Sequence, residues 1–441
     1  MKIRHLILAA AIICSCRPLT PAESDSYPPI CPDYTEVTVP EGLAELQFKL
    51  KDGRKFSVDK TVSADTVWYE VTAWDKGKKN AVRYKPFPVY VSSDGIDPYI
   101  TYRLIEPGYE NWHDMGIYQR ELASYDETAV VTNQENNRGC VNCHCCCPSD
   151  PTRYLFHARG SGGGTVFADN SGAKLINLTK VGAKMQGVYP AWHPAGRYVA
   201  FSSNKTFQAF TVADPQPIEV FDAYSDLILM DLQSDTTRII PVAAKAGRLE
   251  TFPTWSPSGD RLYWCCAEGD TIVCEDRAKV HYRLEAADFR DGSFSEEVQT
   301  IWQEDSASIS FPRINGDWLL YTRSAYGTFP IWHKEADLWL LNLRTGEDFP
   351  AAELNSADTE SYHSWSSNGR WVVFSSRRLD GRYTRLYIAH FDGEGHFGKP
   401  FLLPQRNPDF NQYRMQSYNI PEFMTGKVPV HRKEIRKLFA K

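Results

Sequence analysis

Several stretches of the sequence repeat one pattern, in which a Pro and a Trp precede a Gly-containing turn and a run of aromatic and aliphatic residues follows it. Three clear copies and one degenerate copy begin at residues 189, 252, 362 and 311, respectively. A Gly turn between two such runs is the sequence signal of a β-hairpin. Further strand-like runs lie between the copies, at residues 226–232, 337–343 and 385–391. Units of roughly 50–60 residues that hold several strands each predict the blades of a β-propeller.

The repeated unit, Pro-x-Trp-(Ser/His)-Pro-x-Gly followed by a strand, resembles the TolB-like (WD-repeat-like) propeller repeat. The resemblance implies a propeller in residues 152–425, for which we expect about five to six blades. Ahead of it, alternating polar and apolar residues in 35–131 predict a small β-sandwich-like domain. Aromatic residues form 13% of the chain, which suits half-buried pleated sheets. The predicted fold class is therefore all-β, with a C-terminal propeller preceded by a small β-sandwich domain.

The N-terminus carries the features of an export signal. Basic residues precede an apolar run at 6–13, which is shorter than the roughly 20 residues that a spanning helix needs. Ser15 followed by Cys16 resembles the lipobox of bacterial lipoproteins, which implies removal of residues 1–16 as a signal peptide and a lipid on Cys16. The alternative is an ordinary secretory peptide. Residues 17–34, rich in Pro, Ser and acids, predict a flexible tether.

Charge and hydropathy limit the partners. The chain has 49 Lys and Arg against 55 Asp and Glu, a net charge of −6, which argues against nucleic-acid binding because that requires a basic surface. The basic residues 426–441 are expected to form a solvated tail. No later segment is apolar enough to cross a bilayer, so we expect membrane attachment through the lipid anchor only. By the lipoprotein resemblance, Arg17 implies the outer membrane, on its periplasmic or surface face.

A cysteine cluster lies in residues 132–151, where apolar periodicity is almost absent, and this segment is predicted to be a linker. Cys140, Cys143 and His144 have the C-x-x-C-H spacing of c-type haem attachment. Two thiols at this spacing bond to one porphyrin edge, and the adjacent His becomes the fifth iron ligand. Export agrees with this chemistry. The sequence therefore predicts one covalently bound haem c.

A six-coordinate haem also needs a distal ligand. Met185 and His157 are the preferred candidates, and Met415 and His193 are weaker ones. His193 occupies a repeat position that is Ser in two other copies, so a role in the blade turn is expected for it. An open sixth position would instead make the haem catalytic.

The cysteine run continues through residues 145–147, which is unusual beside a haem. These thiols could pair with one another or with Cys31, Cys265, Cys266 or Cys274, since an exported chain can form disulfides. A purely structural disulfide cluster and a tetrahedral zinc site are the alternatives to haem. Adjacent cysteines chelate one metal poorly, which disfavours zinc.

Residues 136–144, 156–160 and 187–194 resemble a group of TolB-like bacterial lipoproteins that carry one C-x-x-C-H and are often named as cytochrome-like or cytochrome biogenesis proteins. This resemblance implies electron transfer or redox sensing, with the propeller docking a redox or scaffold protein of the cell envelope. The alternative is a haem-free propeller that binds a protein or a glycan and keeps its cysteines in disulfides. No hydrolase motif is found, so the chain is expected to be an electron-transfer or binding protein more than an enzyme.

Overall fold

The computed structural model describes residues 20–77, 80–106, 114–148, 150–160, 162–210, 218–269 and 274–440. The predicted signal peptide 1–16, Cys16 and residues 17–19 therefore lie outside the described residues. Within the described residues, no helix combines the length and the apolar character needed to cross a membrane.

The N-terminal β-domain is built on one mixed six-stranded sheet. Its strands, together with those of a short two-stranded sheet, are β1 Ala22–Ser24, β2 Ile30–Cys31, β3 Thr38–Pro40, β4 Lys49–Leu50, β5 Lys55–Ser63, β6 Thr66–Trp74, β7 Ala81–Tyr84 and β8 Phe87–Ser92. The sheet order is β1-β7-β6-β8-β3, with β5 paired to β6, and β2 pairs with β4. Alternate residues of β6 are buried, because successive side chains of a strand point to opposite faces.

Six further sheets follow, each with at least four antiparallel strands. The first two sheets contain β9 Tyr99–Ile105, β10 Gly116–Glu121, β11 Glu127–Thr132 and the last strand of the chain, β33 Ser417–Met424; and then β12 Val141–Cys147, β13 Asp150–Ala158, β14 Gly164–Asp169 and β15 Gly172–Ile176. The third and fourth contain β16 Val188–Trp192, β17 Tyr198–Phe210, β18 Ile218–Asp231 and β19 Thr236–Ile239; and then β20 Arg248–Trp255, β21 Arg261–Glu268, β22 Arg283–Arg290, β23 Ser293–Phe294 and β24 Gln299–Trp302. The fifth and sixth contain β25 Ser308–Asn315, β26 Trp318–Ser324, β27 Asp337–Asn342 and β28 Asp348–Pro350; and then β29 Glu360–Trp365, β30 Trp371–Ser376, β31 Arg385–His390 and β32 Phe401–Leu402.

These sheets are the six blades of a closed propeller. Strand β33 joins the sheet of β9–β11 in the order β33-β9-β10-β11 and completes blade 1, and blades 2 to 6 follow in sequence order. The innermost strands β33, β12, β16, β20, β25 and β29 each contact the next, and β29 contacts β33. The ring is thus closed by a strand from the C-terminal end of the chain, which leaves no open edge between the first and last blades.

The fold class is confirmed, and six blades agree with the expected five to six. The domain boundaries differ from the prediction. Strands β9–β11 belong to blade 1 and not to the N-terminal domain, and residues 132–151 are no linker, since they form a 3-10 turn at Asn133–Asn136 and then strand β12. This strand was not evident from the sequence, because cysteines and not aliphatic residues occupy its buried positions. Cysteines are buried as readily as aliphatic residues.

Both predicted flexible segments are also folded where the structure describes them. In the expected tether, β1 pairs with β7 and Tyr34 is fully buried. In the expected solvated tail, Ile435 of helix α2 (Arg432–Leu438) and Phe439 just after it are buried against blades 1 and 2, since residues four positions apart share one helix face. Helix α1 spans Phe410–Tyr413, and three more 3-10 turns lie at Leu178–Lys180, Cys274–Lys279 and Pro330–Trp332.

The N-terminal β-domain packs against blade 6. One continuous hydrophobic core contains Tyr34 and Phe87 of that domain together with Trp371 and Leu386 of the blade. At the edge of this core, the indole Nε1 of Trp371 donates a 3.1 Å hydrogen bond to the carbonyl oxygen of Asp94. Residues of blade 1, among them Ile100 and Tyr102, belong to the same core, so the domain packs against the first and the last blade of the ring.

Candidate functional site: the central channel

Every innermost strand of the propeller contains one non-glycine residue with a positive φ of about 50°. These residues are Cys143, Tyr189, Phe252, Phe311, Tyr362 and Ile420. At each of them the pairing with the neighbouring strand shifts register, which identifies a β-bulge. Left-handed backbone is uncommon for residues with such side chains. Because it recurs once in each of the six innermost strands, these strands can be aligned residue by residue at the bulge.

This alignment places the C-x-x-C-H motif inside the propeller repeat. Cys143 occupies the bulge position of blade 2, where four other blades carry Tyr or Phe. His144 corresponds to a Pro in four blades and to His363 in blade 6. The motif is therefore the blade 2 copy of the repeated inner strand. The sequence alone did not reveal this relation, because the bulge residue and the residue after it are Cys and His here, whereas most other blades have an aromatic residue followed by Pro.

Four bulge side chains form an aromatic collar across the channel. The ring centroids are 4.4 Å apart for Tyr189 and Phe252, 4.0 Å for Phe252 and Phe311, and 4.8 Å for Phe311 and Tyr362. Cys143 and Ile420 complete the ring with smaller side chains. The collar separates a cavity of about 280 Å³ on one side from a cavity of about 430 Å³ on the other, with a space of only about 20 Å³ between them.

The Trp that recurs in the repeat connects neighbouring blades. Trp192, Trp255 and Trp365 lie three positions after their bulges, and each indole Nε1 donates a 3.1 Å hydrogen bond to a carbonyl oxygen of the preceding blade. The acceptors are Cys145, Ala191 and Arg313. These Trp residues therefore fasten one blade to the next.

Three arginines from different blades converge on the 280 Å³ cavity. Arg103 lies on β9, Arg159 follows β13 and Arg377 follows β30, and we call this end of the channel the arginine mouth. The Arg377 guanidinium stacks 3.7 Å from the ring centroid of Trp332, which also lines the cavity. Glu106 is the single carboxylate among the described lining residues.

The two thiols of the motif also reach the arginine mouth. Cys140 and Cys143 both line the cavity and are both buried. Burial raises the pKa of the Cys143 thiol, whereas the charges of Arg103 and Arg159 act in the opposite direction. Cys143 is therefore a protonated thiol at neutral pH and not an activated nucleophile.

His144 lines the 20 Å³ space between the two cavities. Its side chain is 1% exposed, and Nε2 is 3.9 Å from Oε2 of Glu422. Burial, with a contribution from Arg103, lowers the His144 pKa to about 3, while the backbone of Ile420 opposes the shift without forming a well-aligned hydrogen bond. His144 is therefore a neutral, enclosed imidazole.

The geometry of these three residues does not fit a covalently attached haem. Cys140 and Cys143 line the 280 Å³ cavity, whereas His144, which should bind the iron, lines only the 20 Å³ space that Cys143 also borders. A haem exceeds the drug-sized ligands whose sites measure about 300–1,000 Å³. Strand β12 is extended and paired with β13, so it presents no helical turn on which both thiols and the His could meet one porphyrin.

The predicted distal ligands lie elsewhere. Met185 is in the turn before β16, and His157 is on β13 opposite Asn142, where burial lowers its pKa to about 4. Neither lines the two spaces that Cys143 borders. The weaker candidates are remote as well: Met415 is 63% exposed, and His193 contacts the carbonyl oxygen of Gly259 at 2.9 Å in the blade turn, as its repeat position indicated.

The remaining thiols support neither alternative to haem. Among the described residues, no disulfide is formed by Cys31, Cys140, Cys143, Cys145, Cys146, Cys265 or Cys266. Within the described part of the chain, no group of three or more His, Cys, Asp or Glu residues is arranged to hold a metal ion. Burial raises the pKa of Cys145, Cys146 and Cys265 well above the usual thiol range. The described cysteines thus behave as small core residues.

No protein-family model and no curated protein matches the chain. Among solved structures, it resembles a puromycin hydrolase with 14% identity and a TM-score of 0.38, over 82% of this chain and 50% of that one. It resembles an oligogalacturonate lyase from Vibrio parahaemolyticus with 10% identity and a TM-score of 0.38, over 80% and 85%. A prolyl endopeptidase matches with 11% identity and a TM-score of 0.37, over 79% and 41%. The chain spans about half the length of the hydrolase and less of the endopeptidase, and these weak similarities transfer no activity to it.

Proposed function

We propose that this protein is a haem-free binding protein whose propeller holds an anionic small molecule at the arginine mouth. The observation that carries the proposal is the convergence of Arg103, Arg159 and Arg377, from blades 1, 2 and 6, on one cavity of about 280 Å³. That volume is close to the lower end of the range for small-molecule sites.

Charge supports an anionic ligand. Among the described residues, neither Arg103 nor Arg159 forms an ion pair with a carboxylate, and Arg103 donates to the Asn419 amide oxygen at 3.1 Å when that amide is oriented to satisfy both of its neighbours. Like charges that share a partly buried cavity repel one another, and the repulsion is relieved when an anion binds between them. Arginine also pairs with carboxylate and phosphate through two parallel hydrogen bonds.

Aromatic side chains support a ligand that also contains a ring or an apolar body. Tyr189, Phe207, Trp332 and Tyr362 line the same cavity as the arginines. Flat faces beside cationic groups are typical of small-molecule sites with a few placed polar groups.

Citrate is a suitable first probe because it carries three carboxylates. We expect citrate to raise the melting temperature of the protein and to bind measurably in calorimetry. Arg159→Gln should weaken citrate binding by about tenfold, since one charge-assisted pair is lost from an exposed position that does not support the core. Arg344→Gln removes the same charge from a distant surface turn and should leave binding unchanged.

Two results would overturn this proposal. The first is equal citrate binding by the wild type and Arg159→Gln. The second is covalent haem: the protein, expressed with a c-type maturation system, would give a haem-stained band on a denaturing gel that is absent in Cys143→Ala. The haem-free proposal requires no such band and a pyridine haemochrome spectrum without signal.

We further propose that the protein acts in the cell envelope as a lipoprotein. The support is the lipobox-like sequence at Ser15 and Cys16. Mass spectrometry of the mature N-terminal peptide should find a diacylglyceryl group on Cys16, and Cys16→Ala should release the protein from membranes. An unmodified N-terminus would instead indicate ordinary secretion.

A further inference from the structure

The residue two positions after each bulge points to the other end of the channel. These six residues are Cys145, Ala191, Thr254, Arg313, Ser364 and Glu422, and we call them the inner ring. All six line the cavity of about 430 Å³ on the far side of the collar from the arginine mouth. The ring contains one cationic side chain, one carboxyl group and two hydroxyl groups.

Arg313 is the unusual member of the inner ring. Burial lowers the pKa of its guanidinium, against the charges of Cys145, Glu422 and Cys265. Among the described residues, its side chain donates a 2.9 Å hydrogen bond to the carbonyl oxygen of Pro312 and forms no ion pair with a carboxylate. Arg313 is half-buried in the cavity wall, where an anion would be a favourable partner, because a charge partly withdrawn from water is costly to leave unpaired.

Ser364 provides an independent indication. Its residue is 9% exposed and its Oγ has no hydrogen-bond partner among the described residues, although it lines the same cavity. Buried hydroxyl groups are nearly always hydrogen-bonded, so an unpartnered one in a cavity wall indicates a missing acceptor. Arg313 and Ser364 lie on the neighbouring blades 5 and 6 and line the same cavity.

We propose that the inner ring binds the carboxylate of a small organic acid, with Arg313 as its counter-charge and Ser364 as a hydroxyl donor. A carboxylate matches the planar arginine fork and balances one positive charge. A phosphate dianion would leave excess negative charge beside Glu422. Trp192, Trp255 and Trp365 also line the cavity, which suits an acid with a flat apolar body.

Benzoate is the probe that separates these features, and benzyl alcohol is its uncharged counterpart. We expect the wild type to bind benzoate in calorimetry or by NMR line shifts, and to bind benzyl alcohol and inorganic phosphate at least about tenfold more weakly. Arg313→Gln should reduce benzoate affinity by at least about tenfold, and Ser364→Ala by about fivefold for one hydrogen bond. Arg344→Gln is the matched charge control and should bind as the wild type does.

Loss of the half-buried Arg313 charge in Arg313→Gln should not unfold the protein. If this variant is nevertheless poorly produced, Ser364→Ala tests the site separately. The proposal is overturned if benzoate binds no better than benzyl alcohol, if phosphate binds better than benzoate, or if both variants keep wild-type affinity. The site is separated from the arginine mouth by the collar, so its failure leaves the citrate experiment unaffected.

Discussion

The inner strand of blade 2 and the inner strands of the other five blades share one backbone and differ in their side chains. All six bend at the same left-handed residue, yet blade 2 alone places cysteines around the bend. In blade 6 the residue that corresponds to His144 is His363, whose Nε2 contacts the carbonyl oxygen of Leu320 at 2.8 Å. Burial lowers the pKa of both imidazoles to about 3. This repeat therefore accommodates a buried, neutral His directly after the bulge, so a C-x-x-C-H spacing can arise here without haem.

The largest expected effect tests whether the bulge position of blade 2 differs energetically from the others. Phe252 is 2% exposed and packs between Tyr189 and Phe311 in the collar, with its ring tilted against both. Phe252→Ala should lower the free energy of unfolding by about 4 kcal/mol, as expected for a buried aromatic ring. Cys143→Ala should cost only about 1 kcal/mol, because the thiol is small and borders a cavity. Urea unfolding measures both, and equal losses would contradict the comparison.

A second pair of equivalent residues lies two positions before the bulges of blades 4 and 6. Glu360 accepts hydrogen bonds from Ser356 and Ser376 and pairs with Arg378. Glu250 has no hydrogen-bond partner for either carboxylate oxygen among the described residues. Burial and the charge of Asp226 raise the Glu250 pKa to about 8 from 4.5, against the opposing charge of Arg248.

The folded protein therefore holds the Glu250 proton more tightly than the unfolded chain does, and wild-type stability falls as the pH rises from 4.5 towards 8. Glu250→Gln lacks this loss. Its stability relative to wild type should improve by about 3 kcal/mol between pH 4.5 and pH 7. Glu360→Gln should be destabilising at both pH values, because it weakens the pair with Arg378. A Glu250→Gln difference that is independent of pH would contradict the comparison.

The third effect concerns His144. Its pKa is about 3 in the folded protein and 6.5 in the unfolded chain, so the unfolded chain binds the proton first as the pH falls. Wild-type stability should drop by about 2 kcal/mol between pH 6.5 and pH 5 from this group alone. His144→Gln should lose that part of the pH dependence, which denaturant unfolding at the two pH values would reveal. An unchanged pH dependence would show that the imidazole is hydrated and not enclosed.

The sequence predicted blades 3, 4 and 6 directly, because their Trp residues make the same interblade hydrogen bond. It did not identify the repeat motif in the inner strands of blades 1 and 2, where Phe423 and Cys146 replace that Trp. The signal that could have identified them is the residue after the bulge, since Pro421 and His144 match the Pro and His found in the recognised copies. The arginine mouth and the inner ring could not be predicted from the sequence at all. Each gathers side chains from blades far apart in the chain, and only ring closure by β33 brings them together.

The smallest expected effect tests the interblade hydrogen bonds. Trp192→Phe removes the donor to the carbonyl oxygen of Cys145 and should cost about 1 kcal/mol, the net worth of one hydrogen bond. Trp255→Phe removes the equivalent bond to Ala191 and should cost the same. Because both rings stay buried, packing changes little, and chemical unfolding should place the two variants within error of each other. A clearly larger loss for Trp192→Phe would mean that the cysteine-rich strand depends on this bond more than its neighbours do. In that case blade 2 would differ from the other blades in stability as well as in side chains.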